Sequence, residues 1–250
     1  MATKNKCSGC TNGEAFPIAF TMAFQPIVDI VARSVHGYEA LVRGPNGESA
    51  GLILGKVTSE NRYAFDQACR VKAIQQASAL RLDCRLSINF LPNAVYEARA
   101  CIQATLAAAE EFTFPLDQIT FEITEDERIG DAPHLQSIIS EYRRHGFRVA
   151  LDDFGAGYAG LNSLAELDVD LVKLDMALVR GLDQDKRRRT ITAAIVKVCD
   201  DLGVKVVAEG VEQPAEAEAL TDVGVRYMQG FLFARPQLNA LTRAGEIQFP

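Results

Sequence analysis

The segment A-L-D-D-F-G at 150–155 runs from apolar residues straight into two adjacent carboxylates. Like charges at neighbouring positions repel and resist burial, so a fold keeps such a pair in solvent unless a cation lies between them. Polar endings of this kind recur along the chain. Glu39, Asn89, Glu122 with Glu125, Asp152 with Asp153, Lys173 with Asp175, Glu209 with Glu212, and Gln229 each close or follow a short apolar segment. Gln25 and Arg43 lie in or beside the first two such segments. Carboxylates gathered in one place raise one another's pKa and need counter-charge, and Lys173 with Arg43 is too little.

Oxygen donors with one amide, and no Cys or His cluster, suit a hard divalent ion such as magnesium or manganese better than zinc. One of two adjacent aspartates can bridge two ions while its neighbour ligates the second, as in two-metal hydrolysis of phosphate esters. In such a site the ions acidify a water, Lys173 orients it, Glu209 either ligates the second ion or accepts a proton, and Arg43 clamps phosphate. Nucleophilic triads have no support, because no G-x-S-x-G or Cys/His pairing occurs. His36, His134 and His145 lack H-E-x-x-H spacing and read as surface or core-edge residues.

These side chains need elements that bring them to one place. Apolar, β-prone segments occur at 21–30, 35–43, 85–90, 119–124, 148–153, 171–175, 205–210 and 225–230. From the third onward, helical stretches lie between them, at 63–80, 94–112, 134–146, 190–203 and 215–224, several ending at glycine. Strand and helix in alternation, with eight strands, predict an α/β fold: a (β/α)8 TIM-like barrel whose active site forms at the carboxyl ends of the strands. Only V-A-R-S separates the first two strands, too short for a helical crossover, so one strand near the N-terminus runs antiparallel. A single polar residue at a strand end is often only a helix cap; the whole set together points to a site. The glycines of F-G-A-G-Y-A-G-L suit a mobile loop as well as a phosphate loop, and K-R-R-R-T at 186–190 reads as a solvated helix start or subunit contact.

The composition is that of a soluble globular chain, 48% hydrophobic and 24% charged, long enough at 250 residues for one large core. A formal net charge of −7 disfavours DNA, RNA and anionic membranes as partners. No apolar run approaches the roughly 18 residues of a membrane span, and the start lacks a signal-peptide core, so the expected location is cytoplasmic. Residues 1–16 read as a flexible N-terminal segment and 17–250 as one catalytic domain. Cys7 and Cys10 form C-S-G-C in that segment, two ligands short of a closed zinc site; the remaining cysteines read as reduced core residues.

The quoted segments E-A-L-V-R (39–43), S-I-N (87–89), F-E-I-T-E (121–125), D-D-F-G-A-G-Y (152–158), L-V-K-L-D (171–175), A-E-G-V-E (208–212) and Q-G-F-L-F-A-R-P (229–236) resemble the EAL-domain cyclic di-GMP phosphodiesterases in order and spacing. The likeness covers residues 20 to 240. It implies two magnesium or manganese ions and hydrolysis of cyclic di-GMP to linear 5′-pGpG, with calcium inhibitory. By position, Glu39, Asn89, Glu122 and Asp152 match ligands of a first ion, and Asp152, Asp153 and Glu209 those of a second. Lys173 matches the lysine that contacts the attacking water, and Gln25, Leu41, Arg43 and Gln229 match substrate contacts. Asp175 and Glu212 match further active-site positions, and Glu125 a glutamate that steadies the loop after the fifth strand. The family loop commonly reads D-F-G-T-G-Y-S-S-L; Ala156, Ala159 and Gly160 replace its hydroxyl residues here, which weakens loop anchoring. The resemblance also implies a homodimer. A non-catalytic receptor or protein-interaction module of the same fold is the alternative.

Overall fold

Thr21–Asp29 (β1) and Ser34–Arg43 (β2) form an antiparallel hairpin in which Gln25 stands opposite Glu39. This is a computed structural model of the chain, and it describes residues 16–95, 97–124, 132–156 and 161–250. From β2 the sheet grows by parallel pairing. Arg85–Phe90 (β3), Ile119–Thr124 (β4), Arg148–Phe154 (β5), Leu171–Leu174 (β6), Lys205–Ala208 (β7) and Tyr227–Met228 (β8) follow in sequence order. The far edge closes when β8 pairs with β1, Met228 opposite Val28, so β1 runs against both of its neighbours in an eight-stranded barrel.

A ninth strand, Gln237–Leu238 (β9), pairs with the other end of β1 and was not legible in the sequence. Two exposed residues carry no alternation to read.

Alternation along the strands builds the interior in layers. Ile27, Ala150, Leu171, Val207 and Tyr227 pack together inside the barrel as an apolar plug. Two positions further toward the carboxyl ends of β5, β6, β7 and β8 stand Asp152, Lys173, Glu209 and Gln229. On β1, which runs the other way, the equivalent step from Ile27 leads back to Gln25. The plug thus fixes the floor on which the polar residues stand. Alternate residues such as Phe24, Ile88, Phe121 and Val172 face outward and join the main core beneath the helices.

The helices are Ala50–Leu54 (α1), Arg62–Ala79 (α2), Ala98–Cys101 (α3), Gln103–Glu111 (α4), Ala132–Arg144 (α5), Leu161–Glu166 (α6), Met176–Val179 (α7), Lys186–Leu202 (α8) and Pro214–Asp222 (α9). On α2, Phe65, Cys69, Ala73 and Ala77 recur at every fourth position and are all buried, which seats one face of the helix on the sheet. Asp185 caps α8 by accepting from the Arg187 and Arg188 N–H groups, and Gly203, at φ 72°, ends it in the left-handed conformation that glycine adopts without strain. The single helix expected over 94–112 is interrupted: a 3-10 turn covers Pro92–Ala94, and α3 and α4 meet at Ile102. Cys69, Cys101 and Cys199 are buried and Cys84 half-buried, as expected of core residues; Cys7 and Cys10 lie outside the described residues. No helix among the described residues is long and apolar enough to cross a membrane.

Candidate metal centre

At the carboxyl ends of the strands, a single buried ammonium holds four carboxylates. Lys173 Nζ lies 2.8 Å from Glu122 Oε2, 2.7 Å from Glu209 Oε1, 3.1 Å from Asp152 Oδ1 and 3.5 Å from Glu39 Oε2. Asn89 Nδ2 donates to Glu39 Oε1 at 2.8 Å, and Gln229 Nε2 donates to Glu39 Oε2 at 2.8 Å and to Gln25 Oε1 at 3.1 Å. Gln25 in turn donates to the Ala234 carbonyl. The strand ladder continues past the strand ends and fixes two of these residues: Glu209 N–H donates to the Leu174 carbonyl, and Gln229 N–H to the Ala208 carbonyl.

Strict alternation would send Asp153 to the opposite face from Asp152. The β5–β6 register slips between Leu151 and Phe154, and Asp153 adopts φ 53°, a left-handed conformation uncommon outside glycine. The bulge turns both aspartates toward the same mouth, a use of bulges beside functional sites that is general. Asp153 N–H also donates to Asp152 Oδ1 at 3.0 Å, which orients the shared carboxylate.

The charges are far from independent. Burial, only partly opposed by Lys173, pushes Glu122 well above the usual carboxylate range, and the neighbouring carboxylates of Glu39, Asp152 and Glu209 push it further. Glu209 is raised in the same way. Burial alone would lower Lys173, but Asp152, Glu122, Glu209 and Glu39 hold it well above an ordinary lysine. Glu39 is the exception: burial raises it, yet Lys173 and the hydrogen bonds from Gln229 and Asn89 outweigh that and lower it. Without further positive charge, part of this cluster must carry protons.

The donor set fits divalent ions. Ligand oxygens of Glu39, Glu122 and Asp152 lie within 4.8 Å of one another, and so do those of Asp152, Asp153 and Glu209. The two groups share Asp152, all their donors are oxygens, and the Asn89 side-chain amide lies beside Glu39 as a further oxygen-bearing group, which suits magnesium or manganese. The inner group is buried; the outer group opens on a cavity of about 320 Å³ lined by Gln25, Asp175, Met176, Phe231 and others.

The remaining candidates are placed differently. Asp175 lines the cavity, but its carboxylate caps α7 by accepting from the Ala177 N–H at 2.7 Å. Glu212 also lines the cavity and is turned to Arg180, 2.7 Å away, which lowers its pKa. Leu41 and Arg43 follow Glu39 on β2; the Arg43 guanidinium donates to the Val42 carbonyl. Glu125, Ala159 and Gly160 lie outside the described residues, and Ala156 is exposed just past Gly155. His36 stacks on Tyr227, His134 bonds the Val95 carbonyl and His145 faces Glu141, so the described site uses no histidine. The sequence reading missed Met176 and Phe231, both half-exposed at the cavity. An exposed Phe directly after Gln229-Gly230 was the available signal, since loops after barrel strands build the site.

The family model described as "EAL domain" matches residues 18–236. A standalone EAL protein of Vibrio cholerae O395, solved in its c-di-GMP-bound form, superposes with a TM-score of 0.89 at 48% identity, covering 91% of this chain and 96% of that one. A manganese and cyclic di-GMP complex of Klebsiella pneumoniae BlrP1 gives a TM-score of 0.84 at 36% identity, covering 90% of this chain and 58% of that one. Among curated proteins, the blue light- and temperature-regulated antirepressor BluF of Escherichia coli K12 is 32% identical over 220 residues, 88% of this chain. Cyclic di-GMP phosphodiesterase PdeR of the same organism is 34% identical over 213 residues, 81% of this chain. The chain spans 55% of BluF and 32% of PdeR.

Proposed function

Because the chain belongs to the EAL domain family, we propose that it hydrolyses one phosphodiester bond of cyclic di-GMP to give linear 5′-pGpG, using two magnesium or manganese ions. The observation that carries this is the sharing of Asp152 between two oxygen-donor groups, one buried and one opening on the cavity. Glu39, Asn89, Glu122 and Asp152 would hold an inner ion, and Asp152, Asp153 and Glu209 an outer one. Bound there, such ions polarise a phosphoryl oxygen and lower the pKa of a water to near neutrality.

The chain's own groups do the rest. Lys173, buried and charged, donates to a water and orients it. Glu209 stands between the buried cluster and the open cavity, where it completes the outer group or takes a proton. Gln229, itself held by Gln25, fixes Glu39 from one side while Asn89 fixes it from the other, so Glu39 is oriented before the site is filled. Met176 and Phe231 offer apolar surface of the kind a purine ring covers, with Arg43 and Leu41 extending the substrate rim along β2. The catalytic unit is residues 17–250, acting in the cytoplasm and as a homodimer.

Purified protein with magnesium or manganese and cyclic di-GMP should release 5′-pGpG, identified by chromatography and mass. Release no faster than by Asp152→Ala would count against hydrolysis. The kinship with an antirepressor supports a second reading, a domain that binds the dinucleotide or a protein and does not turn over. Tight dinucleotide binding with no product under either ion would select it.

A further inference from the structure

Behind the barrel wall, outside the cavity, a charged pair is buried among aromatic rings. Arg70 on α2 is fully buried, and its Nη2 lies 2.6 Å from Asp66 Oδ2. Its Nη1 donates to Tyr142 Oη at 2.7 Å, and the guanidinium carbon sits 5.3 Å from the Phe90 ring centre, 5.1 Å from Phe121 and 5.6 Å from Tyr142. Asp66 Oδ1 accepts from the Leu91 N–H at 3.0 Å.

Three of these partners lie beside metal-site residues in the chain, while Tyr142 comes from α5. Phe90 follows Asn89, Leu91 comes next, and Phe121 precedes Glu122; Asn89 and Glu122 face each other across β3 and β4. By strand alternation, Phe90 and Phe121 point to the helix side while Asn89 and Glu122 point into the barrel. A grip on the outer residues therefore sets the angle of the inner ones.

Stability is a weak account of the pair. A buried ion pair is often no better for folding than hydrocarbon of the same volume, and Arg70 Nε has no hydrogen-bond partner among the described residues. What a charge pair adds over hydrocarbon is a single allowed arrangement.

We propose that Asp66 and Arg70 are positioning residues that lock the ends of β3 and β4 so that Asn89 and Glu122 present their oxygens to the inner ion. This rests on the metal-centre reading above. It assigns a role in the site to two side chains that touch neither cavity nor ion.

The test uses the full chain, with Mn²⁺ affinity measured by calorimetry and the Asn89 side-chain amide followed by NMR without metal. Replacing the pair by hydrocarbon, Asp66→Leu with Arg70→Met, should leave the chain folded, because the ion-pair desolvation it removes offsets the hydrogen bonds to Leu91 N–H and Tyr142 Oη that it gives up. The same variant should bind Mn²⁺ about 10- to 100-fold more weakly, the usual cost of losing an outer support of a metal ligand. Its Asn89 amide resonances should shift or broaden as the bond to Glu39 loosens. Asp66→Asn keeps an acceptor for the Leu91 N–H and should recover most of that loss, whereas Asp66→Ala should not. Wild-type affinity and an unchanged Asn89 amide in the double variant would overturn the proposal. If the double variant does not fold, equal behaviour of the Asn and Ala variants overturns it instead. If the wild type binds no Mn²⁺, the metal-centre reading fails, and the Asn89 amide alone decides the positioning role.

Discussion

Lys173 Nζ lies 2.7 Å from Glu209 Oε1 and, through the same atom, contacts Glu39, Glu122 and Asp152 of the inner group. One ammonium thus spans both sets of candidate ligands. Among the described residues no other cation lies within ion-pair distance of these four carboxylates.

Lys173→Met should therefore abolish turnover and also destabilise the protein. Removing one partner of a buried ion pair costs about 3–5 kcal/mol, because the charges left behind have no compensation. If divalent ions fill the two proposed groups, they bind the folded state and replace the lost charge, and magnesium or manganese should raise the melting temperature of the variant more than that of the wild type. A variant as stable as the wild type, with the same response to metal, would show that the ammonium is not the counter-charge of this cluster.

Asp153, proposed above for the outer group, stands in a left-handed backbone conformation. Its φ of 53° lies in the left-handed region, which costs most residues with a Cβ about 1–2 kcal/mol and Asp somewhat less, and glycine would relieve that strain. Asp153→Gly should keep or raise thermal stability in the absence of metal while cutting cyclic di-GMP hydrolysis by at least ~100-fold, the scale of losing one group that stabilises the reacting charge. Thermal melts beside steady-state rates measure both. A stable variant with full activity would remove Asp153 from the outer group.

The pattern of strands could be read because each buried strand is a short apolar run, and each polar ending broke its run at the place where the interior changes from plug to mouth. All eight barrel strands and the reversed direction of β1 follow from that pattern and from the four-residue link between the first two. The side-by-side aspartates were legible as a charge problem, but not its solution. Alternation alone places Asp153 on the wrong face, and the bulge in β5 arises from pairing with β6, a contact that no local pattern encodes. The Asp66–Arg70 pair was hidden for a related reason: at i and i+4 on a helix it looks like a solvated surface pair, and only the packing of α2 on β3 and β4 buries it.

At the opposite mouth of the barrel, His36 stacks on Tyr227 with ring centres 4.2 Å apart. Burial first, then the positive charges of Lys205, Arg85 and Arg148, push its pKa from 6.5 down to about 4, with Asp29 opposing. The folded protein thus holds His36 neutral where the unfolded chain would bind a proton. Its contribution to stability is complete above about pH 6.5 and is lost as the pH falls toward 4. In His36→Leu that component disappears. Between these pH values the denaturation midpoint of the variant should fall less steeply than that of the wild type, and parallel slopes would contradict the assignment.

Gly230 stands between Gln229, which holds Glu39, and Phe231 at the cavity, and it has no room for a side chain. A Cβ built there would lie 2.0 Å from the Val211 carbonyl oxygen and 2.4 Å from its nitrogen. These are backbone atoms tied into the barrel, since Val211 N–H donates to the Gln229 carbonyl and Leu232 N–H to the Val211 carbonyl. No rotamer change can relieve such a contact, so the chain carrying Gln229 must move. Gly230→Ala should cost at least the ~1–3 kcal/mol typical of overpacking. Because the displaced segment carries the Gln229 amide away from Glu39, hydrolysis should fall even well below the new melting temperature. Chemical denaturation gives the first quantity and rates measured on the folded variant the second; a variant with wild-type stability would mean that the close approach of Gly230 to Val211 does not exist in solution.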